Sequence, residues 1–549
     1  MPLKTQERIH CDVLIIGGGG AGLRAAIAAA SSRADVMMVS KTRIGHATNT
    51  YLSKAIIASS GYGNIHDNSR VHTRDTLQGG RHLNNPAMVA RFTEAIPSEA
   101  ALLREWGVNF SLDKNGRPAI LKIPGHSHAR HLYGSNWKGS DLVLPLKQKA
   151  MEKGVRFLEH TFVSSLVVLG SRICGATGIS QEGTFLAIKA KTVVLATGGF
   201  GQVFLNTNNA PGITGDGHAL AFDVGISLQD MEFVQFYPTA LGKHGNRILL
   251  YERLLEQKTV VLKNSRGDDI LKKNGYTEPK EITRDQLAQI IMKEIRDDPE
   301  QRGTIGMDLG GLMPDAVKAL SMLLPAQFSS GNKVFQVAPT THFCMGGIHI
   351  ETQGETSITG LFAAGEVTAG SHGANRLGGN ALAEVIAMGA LVGKTAADRA
   401  MTMEPVSGFH KAATHEKIGL DKLFRDQGLM PKNLIRELKE IMWFNAGIVR
   451  DRQSLDTALK TVMDQKDVQA LVSTPKDLIR FLEFRNMRLV AELICRSALE
   501  RTESRGSHFR KDYPEENDQA WLRNIQVTKT GSRISLRQVP VSRENLPLS

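Results

Sequence analysis

Cysteine is scarce in this 549-residue chain: Cys11, Cys174, Cys344 and Cys495 are the full set, and no two form a C-x-x-C pair. Such wide spacings exclude the usual iron–sulfur and structural zinc ligand sets within the chain and fit a reducing compartment. Long apolar runs are also missing. Arg24 interrupts the longest, so no stretch reaches the ~20 residues of a membrane span. Residues 1–10 are polar and carry no apolar core of the signal-peptide kind. Lys and Arg outnumber Asp and Glu by 67 to 55, a formal charge of +12, but the excess is dispersed. No Lys/Arg block marks a nucleic-acid arm. A solvated basic surface is the simpler reading, ahead of attraction to anionic substrates or to an acidic partner. Internal repeats and low-complexity segments are absent. These absences predict a cytoplasmic protein with no metal site of its own, no nucleic-acid partner, and membrane contact only through a partner at the inner face.

What is present is concentrated at residues 12–30. Val13–Ile16 is an apolar run long enough for one buried strand. Gly17, Gly19 and Gly22 follow at G-x-G-x-x-G spacing, and Leu23–Ala30 reads as an alanine-rich helix. Gly17 permits a tight strand-to-helix turn, Gly19 lets the backbone approach a pyrophosphate, and Gly22 lets helix and strand pack closely. The helix N-terminus offers free N–H groups to phosphates. A glycine fingerprint between strand and helix predicts a dinucleotide site. The second strand, 35–39, ends in Ser40-Lys41 in place of the usual ribose-binding acid, which argues against a plain NAD site.

Further along, 85–107 and 141–153 read as helices, 162–169 and 192–196 as strands, and 410–500 as all helical, with Pro431 and Pro475 as helix starts. Charge rises and the strand–turn–helix rhythm weakens from about 240 to 349, the texture of an inserted domain. Residues 361–400 return to strand, glycine turn and helix. The tail after Trp521 is polar and irregular. The predicted class is α/β, with a Rossmann-like cofactor domain (1–239 and 350–405), a capping domain (240–349), a helical C-terminal domain (406–525) and a tail (526–549).

Several motifs occur in order: Gly17–Gly22 with Ser40-Lys41, His72–Thr76, Gly125–Arg130, Ala196–Gly199, Thr214–Gly217, Gln235–Thr239, Pro339–Gly347, Gly365-Glu366, His372–Asn380, Glu503–His508 and Asp512–Pro514. On them the chain resembles the flavoprotein subunit of succinate dehydrogenase and fumarate reductase, a family that includes L-aspartate oxidase, over nearly its whole length. The resemblance implies FAD, a capping domain inserted into the FAD-binding domain, hydride transfer between flavin and a carbon–carbon bond next to a carboxylate, and an iron–sulfur partner subunit. It places the cofactor at Gly17, Gly19, Gly20, Ala21, Gly22, Ser40, Lys41, Thr197, Gly198, Asp216, Gly365, Glu366, Asn380, Ala381 and Leu382.

Such chemistry needs cations on the carboxylate, a proton donor on the opposite face and a dry site. By motif match Arg376 clamps the carboxylate, for which a guanidinium fork is suited. His342 bonds the same carboxylate, and Arg284 matches the proton donor. Glu252 keeps the relay acid, while Leu255 stands where the relay arginine is expected. Tyr237 replaces a histidine and Tyr251 a threonine where a second carboxylate binds. These departures leave open a different unsaturated acid, a sulfur-oxyanion substrate, or an electron-transfer subunit with a vestigial pocket. Thr48 occupies the position through which succinate dehydrogenases attach FAD to histidine, and His46 lies two residues early, so the implied FAD is non-covalent. Ile123 and Pro124 stand where aspartate oxidase carries a glutamate, which argues against that activity.

Overall fold

The computed structural model describes residues 3–541 except 243–247, 251–253, 256, 278–281, 299–302, 322–323, 330, 405 and 532. Its centre is a seven-stranded sheet. Strand Lys4–Ile16 lies between Val36–Val39 and Thr184–Leu195, parallel to both, with Ile16 opposite Val39 and Leu195. Val13, Leu14 and Ile15 are fully buried. This strand is far longer than the expected 13–16, because residues 4–11 pair with 184–190 of a twelve-residue partner. Thr184–Leu195 is itself shared. Residues 185–189 pair antiparallel with Arg172–Ser180, while 193–195 pair parallel with Leu361–Ala363, which returns after the intervening chain. The parallel strands therefore end together at Ile16, Val39, Leu195 and Ala363, and ligands of open α/β sheets bind beyond such carboxyl ends.

A second sheet joins Val234–Leu241, Val334–Cys344, Ile305–Asp308 and Val261–Lys263, all antiparallel. It has its own core, which includes Leu262, Ile291, Met307 and Val337. Strand Val234–Leu241 runs across the 239/240 division drawn from sequence texture. Helix Arg284–Asp297 packs on this sheet behind a capping box formed by Thr283 and Gln286.

The C-terminal helices are Phe409–Asp421, Pro431–Ala446, Arg452–Asp464 and Pro475–Glu500; Pro431 and Pro475 do stand at helix starts. The irregular tail expected from 526 is instead a hairpin, Arg523–Thr530 with Arg533–Pro540, added to a small sheet through Leu228–Gln229. Ile525 and Val527 are fully buried, and Asn524 and Gln526 between them are buried as well, their side chains hydrogen-bonded to Asp230 and Gln229. Among the described residues no helix is long and apolar enough to cross a membrane.

Candidate active site

The carboxyl ends of the parallel strands open into a cavity between the first strand, its helix and residues 196–198. Of the residues expected at the cofactor, Gly17, Gly19, Gly20, Ala21, Ser40, Lys41, Thr197, Gly198, Asp216 and Glu366 line it. Gly22 does not, and its geometry says why it is glycine: a Cβ there would stand 2.1 Å from the Gly17 carbonyl oxygen, the closest approach of helix to strand. Gly17 sits at φ +124°, where a Cβ would meet the Ala196 oxygen at 2.1 Å. By contrast, a Cβ on Gly19 would meet nothing nearer than 3.8 Å, so the helix N-terminus is left bare toward the cavity. The Thr197 hydroxyl, buried on the cavity wall, has no protein partner. Bare backbone, an orphan hydroxyl and a helix N-terminus fit a pyrophosphate-bearing cofactor.

Gly365, Asn380, Ala381 and Leu382 lie outside the cavity lining. Asn380 is locked from behind, its side chain bonded to His72 Nε2 at 2.8 Å and donating to Thr76 Oγ1 at 2.9 Å. Lys41 closes the far end of the cavity with bonds to Asp216 (2.6 Å), Glu483 (2.7 Å) and Thr214 (2.6 Å). Glu483 comes from helix Pro475–Glu500 and has no sequence signal. Thr48 lines the cavity and accepts a bond from the Tyr51 amide, whereas His46 turns to the Tyr51 ring at 5.2 Å; among the described residues no histidine lines the cavity.

Glu366 links this cavity to a second group of side chains. It accepts bonds from the Cys344 amide (3.2 Å) and Asn49 Nδ2 (3.0 Å), and burial raises its pKa. Strand Val334–Cys344 brings His342 to Tyr237 of the adjacent strand, ring centroids 5.6 Å apart. Arg284, at the first position of its helix, sets its guanidinium 5.3 Å from the Tyr237 ring centre. Arg376, buried, lies 4.6 Å from the Phe343 ring centre and donates to Gln235 Oε1 at 2.8 Å. Tyr237, Arg284 and His342, far apart in sequence, thus stand together as one wall, and Arg376 lies near enough to act electrostatically on His342. Tyr251 and Glu252 lie outside the described residues.

Electrostatics assign the charges. Burial, then Arg376 and Arg284, hold the His342 pKa well below its ordinary value, so the imidazole is neutral at pH 7. Asn208 sets both atoms of its side-chain amide against His342 Nδ1, Nδ2 at 3.0 Å and Oδ1 at 3.3 Å, which leaves Nε2 as the ring nitrogen not engaged by Asn208. Asn209 in turn donates to Asn208 Oδ1 and to the His342 carbonyl. Burial pushes the Asp285 carboxyl up to about 6, with Arg81 and Arg284 pulling the other way. The site therefore presents two guanidiniums, a neutral imidazole and a phenol. It can hold a carboxylate and polarise what is attached to it. Sequence reasoning missed the Asn208–Asn209 pair, which belongs to no motif. Gln235 is visible within Gln235–Thr239, but its role as the partner of Arg376 emerges only in three dimensions.

Residues 12–382 match the FAD binding domain family and 435–549 the fumarate reductase flavoprotein C-terminal family. The chain is 33% identical to one component of the fumarate reductase (CoM/CoB) of Methanothermobacter marburgensis, covering 95% of this chain and 98% of that protein. It is 32% identical to the fumarate reductase flavoprotein subunit of Mycobacterium tuberculosis over 94% of each. E. coli quinol fumarate reductase superposes with a TM-score of 0.89 at 29% identity over 98% of each chain. These likenesses favour the carbon–carbon oxidoreductase reading over its rivals. The chain belongs to the flavoprotein family of fumarate reductase and succinate dehydrogenase, and is an FAD-dependent oxidoreductase.

Proposed function

We propose that the chain reduces a carbon–carbon double bond next to a carboxylate, with fumarate as the first candidate. The observation that carries this is the convergence of His342 and Arg284 on one wall, with Arg376 near enough to act on His342, beside the cavity that fits FAD. FAD, when bound and reduced, would supply the hydride to one alkene carbon. Arg376 holds the carboxylate through its fork, and neutral His342 donates from Nε2 to the same group. Both draw electron density from the alkene, with Arg376 acting from a buried position where charge is little screened. In this reading Arg284 gives the adjacent carbon its proton. An arginine is a weak acid, with a pKa above ~12, so it serves only when held against the substrate and resupplied by a neighbour. Glu252 is the resupplying acid implied by the family. Tyr237, between His342 and Arg284, meets the far end of the substrate with a neutral hydroxyl. A neutral bond is about half as strong as one from a charged histidine, so a second carboxylate is held less firmly.

Gly17, Gly19, Gly20, Ala21, Ser40, Lys41, Thr197, Gly198, Asp216 and Glu366 hold the FAD, non-covalently given Thr48. A cysteine-rich iron–sulfur protein delivers the electrons. Relatives named as parts of larger enzymes support a partner, and it would carry any attachment to the membrane. The test is oxidation of dithionite-reduced methyl viologen by holoprotein on addition of fumarate. Turnover is expected. No turnover with fumarate or with a panel of other unsaturated acids sinks the proposal.

A further inference from the structure

A buried polar chain behind the candidate wall has no part in the chemistry just described. Arg130 is fully buried and held by Asp67 through Nε (3.2 Å) and Nη2 (2.7 Å), and by Asp75 through Nη1 (2.9 Å). The same Nη1 donates to His126 Nδ1 at 3.2 Å. A guanidinium has no acceptor, so His126 Nδ1 must be the bare nitrogen and the ring proton must sit on Nε2. Nε2 lies 3.0 Å from the carbonyl oxygen of Gly378 and donates to it. His131 Nε2 lies against the same oxygen at 3.1 Å, and its Nδ1 against the Leu121 carbonyl at 3.0 Å. His72 is the other neighbouring ring, 5.8 Å from His126.

Gly378 is two residues from Arg376, and Arg284 rests on its other side. A Cβ on Gly378 would stand 3.7 Å from Arg284 Nη2. Leu377 is wedged so tightly that a Cβ on Gly79 or Gly125 would come within 2.5 or 2.7 Å of its side chain. Gly125-His126 therefore grips the segment from both directions, by contact at Leu377 and by a directed hydrogen bond at Gly378.

We propose that His126 is a positioning residue: locked by Arg130 as the Nε2–H tautomer, it holds the Gly378 carbonyl and so places Arg376 and the surface on which Arg284 rests. A displacement of 1 Å at a reacting centre costs about a hundredfold in rate, so the effect should appear in kcat. The inference rests on the proposed function only for its activity readout.

The test compares His126→Phe, His126→Gln and His126→Asn in the FAD-loaded protein. Gln can place an amide N–H where Nε2 was; Asn reaches only the Nδ1 position. Viologen-coupled fumarate reduction should fall about a hundredfold in His126→Phe and His126→Asn and recover to within about tenfold of wild type in His126→Gln, with FAD content unchanged. Backbone amide hydrogen exchange across 374–380 should accelerate in the first two and stay near wild type in the third. Equal activity in all three, or unchanged exchange across 374–380 in His126→Phe, overturns the proposal. If wild type does not reduce fumarate, the function proposed above falls, and the exchange pattern still decides the role of His126.

Discussion

Arg376 is buried, its guanidinium bonded to Gln235 and stacked on Phe343, so it is preorganised for a planar anion. Arg376→Ala should remove one side of a buried charge pairing, a loss of ~2–5 kcal/mol in transition-state binding. Flavin absorbance should persist, and activity with the true substrate near wild type would refute the clamp. His372 makes a different prediction. It is buried against Phe343 and Phe92, neither ring nitrogen has a partner, and burial followed by Arg376 lowers its pKa to about 3. Below its ordinary pKa near 6.5 the unfolded chain takes up a proton that the folded chain refuses until about 3. Its stability contribution is therefore complete above 6.5 and is lost as pH falls toward 3. The melting temperature should fall less steeply between pH 6.5 and about 4 in His372→Phe than in wild type. Identical slopes would show that this ring is not kept neutral by the fold.

The strand–turn–helix at 4–31 is where local sequence constrains backbone most. Gly22→Ala would place a Cβ 2.1 Å from the Gly17 carbonyl oxygen, and backbone at that distance cannot yield as a flexible side chain can. The helix would have to lift from the strand, taking its N-terminus off the phosphate position. Purified protein should be colourless or unfolded; a yellow variant with wild-type melting temperature would contradict the packing argument. The same element contains Arg24, which in sequence only interrupts an apolar run. In the fold it makes a two-bonded buried pair with Glu99, at 2.7 and 2.8 Å, across helix Pro86–Glu105. Nothing within a few residues of either side chain announces that pairing.

At the scale of the whole molecule, the carboxyl ends of one sheet open on the cofactor cavity, and strands of the second sheet contribute Tyr237 and His342 to the candidate wall beside it. With Thr48 on the cavity wall and His46 against the Tyr51 ring, the FAD is predicted to be held non-covalently. Acid precipitation should release yellow FAD into the supernatant; fluorescence retained by the denatured band would point to His46. The four cysteines are all buried and unpaired, which gives them structural surroundings. Purification from the native source should therefore bring down a cysteine-rich second protein. Full activity of the isolated chain with NADH alone would remove the need for it.

The glycine fingerprint, the Pro-initiated helices at 431 and 475, and the motifs carrying Arg376 and His342 can be read from sequence because each is a local constraint or a recognisable run. A turn that excludes a Cβ, or a proline at a helix start, acts within a few residues. The tail reads as irregular because Asn524 and Gln526 look solvent-facing in sequence, whereas in the fold they are buried against Asp230 and Gln229 beside the Leu228–Gln229 edge. What the tertiary structure alone decided is which side chains meet: Gln235 with Arg376, Asn208 with His342, Glu483 with Lys41, and Asp67, Arg130 and His126 behind Gly378. The physical reason is that burial makes an unpartnered polar group costly. The partners come from whichever distant strand or helix the packing brings alongside, and spacing along the chain does not record that choice.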